Sequence, residues 1–202
     1  MEGTGLLLVL SGPSGAGKGT LCRALMKEMP QLSYSISATT RPPRPGETHG
    51  KDYYFVSRQS FQEMLAAGEF LEWAEVYNNY YGTPKKAVLE ALSAGKDLIL
   101  EIDIQGALQV KSIYPQAVFI FILPPSFQEL EKRIIHRGKD SEEAIRHRLS
   151  CVEDELHYIR EYDYVVVNDQ IPLALEKLKA IIIAEKCRPH RQPYVCAKNS
   201  TV

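Results

Sequence analysis

No stretch of this 202-residue chain approaches the ~20 apolar residues of a membrane-spanning helix; the longest runs, residues 6–10 and 118–123, are far shorter. Cysteine is scarce as well. Cys22, Cys151, Cys187 and Cys196 form no CxxC pair and have no histidine at ligand spacing, so neither a zinc site nor a disulfide framework is indicated. Net charge is nearly absent, with 24 Lys+Arg against 25 Asp+Glu, which argues against a polyanion-binding surface and against disorder. The first residues lack the basic flank and cleavage site of a signal peptide, since Glu2 and a short apolar run lead straight into a glycine motif. Together these absences point to a cytoplasmic protein with no nucleic-acid or membrane partner; a monomer or weak homodimer is expected, although nothing in the sequence fixes the oligomeric state.

What is present suits one compact α/β unit carrying inserted pieces. Four runs rich in branched aliphatics, at 6–10, 98–102, 118–123 and 164–167, read as strands buried on both faces. Helical patterns follow them at 18–28, 105–113, 127–137 and 173–186, and strand alternating with helix implies a parallel sheet covered by helices. The core is expected at 1–34, 95–126 and 159–188. Residues 35–94 have another character, with three prolines and a glycine in 39–47, short strands at 52–56 and 70–76, and helices near 59–67 and 84–94 that stop at Gly68 and Gly95. They read as an inserted subdomain. Residues 127–158, helical, charged and interrupted by Gly138, read as a lid, and 189–202 as a flexible tail.

The first chemical motif follows the first strand. Gly12, Pro13, Ser14, Gly15, Ala16, Gly17, Lys18, Gly19 and Thr20 form a glycine-rich loop that opens a helix, the context of a phosphate-binding P-loop. Glycines let successive backbone N–H groups converge on phosphate oxygens, the helix start favours negative charge, and Lys18 bridges the terminal phosphates. Gly19 stands where the magnesium-binding hydroxyl of such loops usually sits, with Thr20 one residue later. The second motif, residues 37–47, sets Arg41 and Arg44 on a proline-stiffened segment as planar donors to a dianionic phosphate, with Ser37 and Tyr53 adding hydroxyls. A third, 98–106, places Glu101 and Asp103 at a strand end, which alternation would put on one face toward the crevice. Arg133 and Arg137 share a helix face in the lid, equally readable as a solvated basic face paired with Glu129. Asn168 follows the last strand, at a position where a base contact and a packing role are both open.

Taken together, SGPSGAGKGT, SATTRPPRPGE, GKDYYFV, FLEWAEVYNNYYGTP and ILEIDIQGA resemble guanylate kinase, in family order and over about residues 6–183. The resemblance implies a three-layer P-loop kinase fold with a parallel central sheet, an inserted GMP-binding subdomain and a helical lid. It implies transfer of the γ-phosphoryl group of ATP to GMP, with dGMP as a further acceptor, and Mg²⁺ brought with ATP. The ATP side would comprise the loop from Gly12 to Thr20 with Arg133, Arg137 and Asn168. The GMP side would comprise Ser37, Arg41, Arg44, Glu47, Tyr53, Glu72, Tyr81, Thr83 and Asp103, with Ser37, Glu72 and Thr83 reading the base. Lys18, Arg41, Arg137 and Arg148 would stabilise the transferring group, and Asp103 through water, or Thr20, would serve the metal. Glu101 stands where some relatives carry aspartate. Two other readings stay open: a non-catalytic binding module of this fold, and a kinase for another monophosphate.

Overall fold

The structure, a computed structural model, describes residues 5–136 and 142–192. In chain order these form β1 (Leu7–Ser11), α1 (Lys18–Glu28), β2 (Ser33–Tyr34), β3 (Ala38–Thr39), β4 (Tyr54–Phe55), α2 (Arg58–Ala66), β5 (Phe70–Val76), β6 (Asn79–Pro84) and α3 (Lys85–Ser93). There follow β7 (Leu98–Glu101), α4 (Ile104–Ile113), β8 (Val118–Leu123), α5 (Phe127–His136), α6 (Glu142–His157), β9 (Tyr164–Val167) and α7 (Ile171–Lys186).

Five strands in the order β2-β7-β1-β8-β9, all parallel, make the central sheet. Its inner strands β7, β1 and β8 are apolar but for Ser11 and Glu101 at their ends, because helices cover both faces. Along β1, Leu8 and Leu10 enter a cluster with Leu21 and Leu25 of α1 and Leu175, Leu178 and Ile182 of α7, whereas Leu7 and Val9 enter another with Val88, Leu92 and Val110. Period-two alternation thus feeds two cores from one strand. Switching from β1 to β7 on one side and β8 on the other opens a crevice at the carboxyl ends of the strands, the place where such sheets bind ligands.

A second, four-stranded sheet in the order β4-β3-β6-β5 lies within residues 35–94. β5 and β6 form a hairpin whose turn holds Tyr77 and Asn78 at φ 49° and 61°. This sheet is joined to the core by α4, where Gln109 donates to Trp73 O at 2.7 Å and accepts from Trp73 N–H at 3.2 Å. Leu130 and Ile134 of α5 with Val152 of α6 form a third, separate apolar cluster. Residues 189–191, assigned to the tail on sequence, form a 3-10 turn in which Arg191 donates to Gln116 O at 2.7 Å. No helix among the described residues is long and apolar enough to cross a membrane.

Candidate functional site

The crevice is lined on one wall by Gly12, Ser14, Gly15, Gly17, Lys18 and Gly19, and on the other by Ser37, Arg44, Tyr53, Glu72 and Tyr81, with Glu101 and Asp103 at its floor. The loop wall follows from backbone conformation. Gly17 caps α1 at φ 90°, a left-handed geometry that costs other residues energy, and no side chain caps the helix. Its first N–H groups are therefore left for an anion. Lys18 folds back over the loop, donating to Gly12 O at 2.5 Å and Pro13 O at 3.1 Å. Pro13 and Ala16 are buried within the turn, while Thr20 is exposed on α1 and does not line the crevice.

Asn168 braces this loop from β9's end. Its Nδ2 donates to Ala16 O at 2.8 Å in a buried setting, and a Cβ on Gly17 would come within 2.3 Å of that nitrogen. Arg133 joins the brace, donating to Asn168 O at 3.2 Å and to Glu129 at 2.9 Å, the i,i+4 pair expected from spacing. Asn168→Ala is expected to destabilise the protein by about 1–3 kcal/mol in denaturant unfolding, because Ala16 O is left buried and unpaired.

On the opposite wall Arg41 is held in a fork by Glu47, with Nη2 donating to Oε1 and Nη1 near Oε2, both at 3.0 Å, and its guanidinium stands 5.4 Å from the Tyr53 ring centre. Glu47 also accepts the Arg44 backbone N–H at 2.7 Å. Burial opposes charge on Glu47, but the Arg41 and Arg44 bonds prevail and hold its carboxyl below the usual value. Its place is thus to orient the Arg41 guanidinium and to fix the backbone at Arg44. Arg44, Tyr53 and Tyr81 reach the crevice, whereas Arg41 and Glu47 stand behind that lining. The Tyr53 and Tyr81 rings meet edge to face at 6.1 Å. Burial, with the charge of Glu101, pushes the Tyr53 hydroxyl up to about 12, so it remains a donor.

Glu72 is the buried anion of this wall. It faces Thr83 across the β5–β6 pair and accepts the Thr83 hydroxyl at 2.5 Å. A Cβ on Gly106 would lie 2.2 Å from Glu72 Oε2, so the carboxylate needs the bare backbone of α4 beside it. Burial raises the Glu72 carboxyl to about 7, with the Thr83 bond opposing and the charge of Asp103 adding. The folded, ligand-free protein therefore holds the proton more tightly than the unfolded chain, whose carboxyl titrates near 4.5. Stability present below that value is lost as pH rises through about 7. Glu72→Gln, which mimics the protonated acid, is expected to gain about 3 kcal/mol on wild type between pH 4 and pH 8, read from urea unfolding at a series of pH values.

The two floor carboxylates reach the crevice by different routes, which corrects the expectation of one shared strand face. β7 stops at Glu101, and Asp103 instead caps α4, its Oδ1 accepting the Gly106 N–H at 2.8 Å. Its Oδ2 is buried without a hydrogen-bond partner. Burial raises the Asp103 carboxyl, partly offset by the Gly106 N–H and by Lys18. Arg137 lies outside the described residues, and Arg148 falls in α6 with its side chain outside them too. Glu155 of α6 also lines the crevice, although sequence reasoning passed it over. Burial raises its carboxyl, with Lys18 opposing. Its helix carries acidic residues at several positions, so nothing in the local pattern marks this one.

A sequence profile described as guanylate kinase matches residues 4–185. The chain is 63% identical over 191 residues to a guanylate kinase of Desulfitobacterium hafniense, covering 95% of this chain and 96% of the relative. It is 58% identical over 187 residues to one of Caldanaerobacter subterraneus, covering 93% and 91%. The crystal structure of a guanylate kinase from Anaplasma phagocytophilum superposes with a TM-score of 0.80 at 35% identity, over 95% of this chain and 92% of that one. A shikimate kinase of Bacteroides thetaiotaomicron, 14% identical with a TM-score of 0.52 over 88% and 98%, shares the fold alone.

Proposed function

The chain belongs to the guanylate kinase family, and from that membership we propose how its own residues divide the transfer of the γ-phosphoryl group from ATP to GMP. The observation that carries the reading is the single crevice lined at once by the glycine loop with Lys18 and by Arg44, Tyr53, Glu72 and Tyr81. Phosphoryl transfer asks little covalent work of a protein: it aligns donor and acceptor, neutralises charge and keeps water out. No side chain is needed as a nucleophile.

The loop N–H groups and Lys18 hold the ATP phosphates, with Arg133 and Asn168 keeping the loop in shape. Arg41, Arg44, Tyr53 and Tyr81 take the GMP phosphate, with the Arg41 guanidinium pre-set by Glu47. Glu72 accepts the N1–H and exocyclic amine of guanine, and Ser37 and Thr83 supply hydroxyls beside it. Adenine offers no N1–H, so its binding would leave a buried carboxylate unpaired. Arg137 and Arg148 belong to the same proposal as lid cations. Residues 35–94 and 127–158 act as parts that close on the core, which fits the separate apolar cluster of the second.

Among the described residues no group of three or more His, Cys, Asp or Glu could hold a metal by itself. The unpartnered Oδ2 of Asp103, facing the same crevice as Lys18, nevertheless fits an ion that keeps most of its shell from phosphates and water. Mg²⁺ entering with ATP would be served there by Asp103 through water, and would supply neutralisation of the phosphate oxygens. Thr20 is exposed away from the crevice in this structure. The assignment is tested by incubating the protein with ATP, Mg²⁺ and GMP and separating the nucleotides. GDP and ADP are expected in equal amounts, with ADP formation collapsing when GMP is omitted. ADP released at the same rate without GMP would overturn it.

A further inference from the structure

Position 19 of the phosphate loop has no side chain, and the space that one would enter is already filled. A Cβ on Gly19 would lie 3.1 Å from Oε1 and 3.3 Å from Oε2 of Glu101, close enough that the carboxylate must give by a few tenths of an ångström, and 3.5 Å from Nη1 of Arg23. The register of β7 on β1, Leu10 opposite Glu101, sets that carboxylate beneath the start of α1. Tyr34, the last residue of edge strand β2, donates its hydroxyl to Oε2 at 3.1 Å. Moving the carboxylate aside would lengthen that bond. Burial and the charge of Glu101 raise the Tyr34 hydroxyl far above its ordinary value, so it stays a donor throughout the working range of pH.

P-loops usually carry a serine or threonine at this position, whose hydroxyl serves magnesium. Here the loop brings no oxygen of its own, while a carboxylate from a neighbouring strand lies in the same place, facing the crevice with Lys18 and Asp103. We propose that Gly19 and Glu101 are a complementary pair, in which the long carboxylate side chain, positioned by Tyr34, fills the volume of the missing hydroxyl and supplies the oxygen donor for the water shell of nucleotide-bound magnesium. The pair excludes two partial exchanges. A serine at position 19 pushes the Glu101 carboxylate aside by a few tenths of an ångström against its Tyr34 bond, and an aspartate at position 101, shorter by one methylene, withdraws from the site and from Tyr34. Made together, the two changes relieve each other.

This inference rests on the crevice being an ATP site, so its test reads binding rather than turnover. The dissociation constant for ATP is measured by calorimetry on the full chain, once in excess Mg²⁺ and once in EDTA, and the ratio of the two is the readout. Glu101→Gln and Glu101→Asp are each expected to shrink the metal-dependent ratio by about tenfold, as loss of an outer-shell partner does, with the EDTA value unchanged. Gly19→Ser alone should shrink it similarly, and Gly19→Ser with Glu101→Asp should recover to within about threefold of wild type. Tyr34→Phe should shrink it by a smaller factor, since only the positioning bond is lost. Melting curves without nucleotide identify any variant that fails to fold; Glu101→Gln, which keeps shape and volume, then decides alone. An unchanged ratio in Glu101→Gln, or a double variant as poor as the worse single one, overturns the pairing. Failure of wild type to bind ATP at all would instead overturn the phosphotransfer reading.

Discussion

Lys18→Ala is expected to lower kcat/KM for phosphoryl transfer by at least about a thousandfold while the folded structure survives. Removing a single preorganised donor from a developing anion commonly costs two to three orders of magnitude, and Lys18 brings a full charge in addition. The surrounding geometry favours retention of the fold. Its nitrogen donates to Gly12 O and Pro13 O, while the loop is independently held by Asn168 on Ala16 O. A far-UV spectrum and melting midpoint like those of wild type, combined with lost turnover, would match this account. Normal turnover would show that the loop does not hold the donor phosphates.

Glu72→Gln should lower kcat/KM for GMP by about a thousandfold and leave the KM for ATP within about threefold. A site built to pair a specific base edge loses orders of magnitude when its buried groups are mismatched, and a glutamine amide turns one acceptor into a donor. The same change removes a charge from among Glu72, Asp103 and the Thr83 hydroxyl, which is why it stabilises the empty protein at high pH. Stability and activity therefore move in opposite directions at one residue. The comparison is made by unfolding and by steady-state kinetics on the same preparation. Glu72→Gln with wild-type use of GMP would remove the base-reading assignment.

Much of the core was legible because parallel strands buried on both faces leave continuous apolar runs. Val118–Leu123 coincides with such a run and Lys18–Glu28 begins directly after the glycine loop, whereas Tyr164–Val167 is a strand at the sheet edge with Val165 and Val167 exposed, not buried on both faces. The strands β2 and β3 are two residues each, too short to leave any period, whereas β4 falls inside the strand expected at 52–56. β6 reads NYYGTP, a sequence whose glycine and proline argue against a strand; pairing with β5 through the left-handed Tyr77 and Asn78 turn overrides that preference. The floor carboxylates were found but misplaced, since the strand ends at Glu101 rather than at the expected residue 102 and Asp103 becomes a helix cap.

The site was legible where chemistry is concentrated in one segment, as in the glycine loop or the paired arginines at 41 and 44. It was not legible where a residue acts by orienting another. Glu47 and Asn168 were legible as site residues but not in these roles: Glu47 clamps Arg41 within its own segment, while Asn168 tying down Ala16 O and Tyr34 holding Glu101 depend on contacts between elements that have no expression in local spacing. Glu72 lies between these cases. Its burial follows from β5 alternation, but its importance comes from Gly106, a residue 34 positions away that leaves room for it.

The central claim is that one crevice joins a phosphate loop to a guanine-reading wall, and acceptor choice tests it most directly. Initial rates with saturating ATP and Mg²⁺ are compared for GMP, dGMP, AMP, UMP and CMP by coupling ADP formation to a spectroscopic signal. The account predicts that kcat/KM for GMP exceeds that for AMP by about 10⁴-fold or more. Comparable use of AMP and GMP, or no transfer to any of the five, would contradict it.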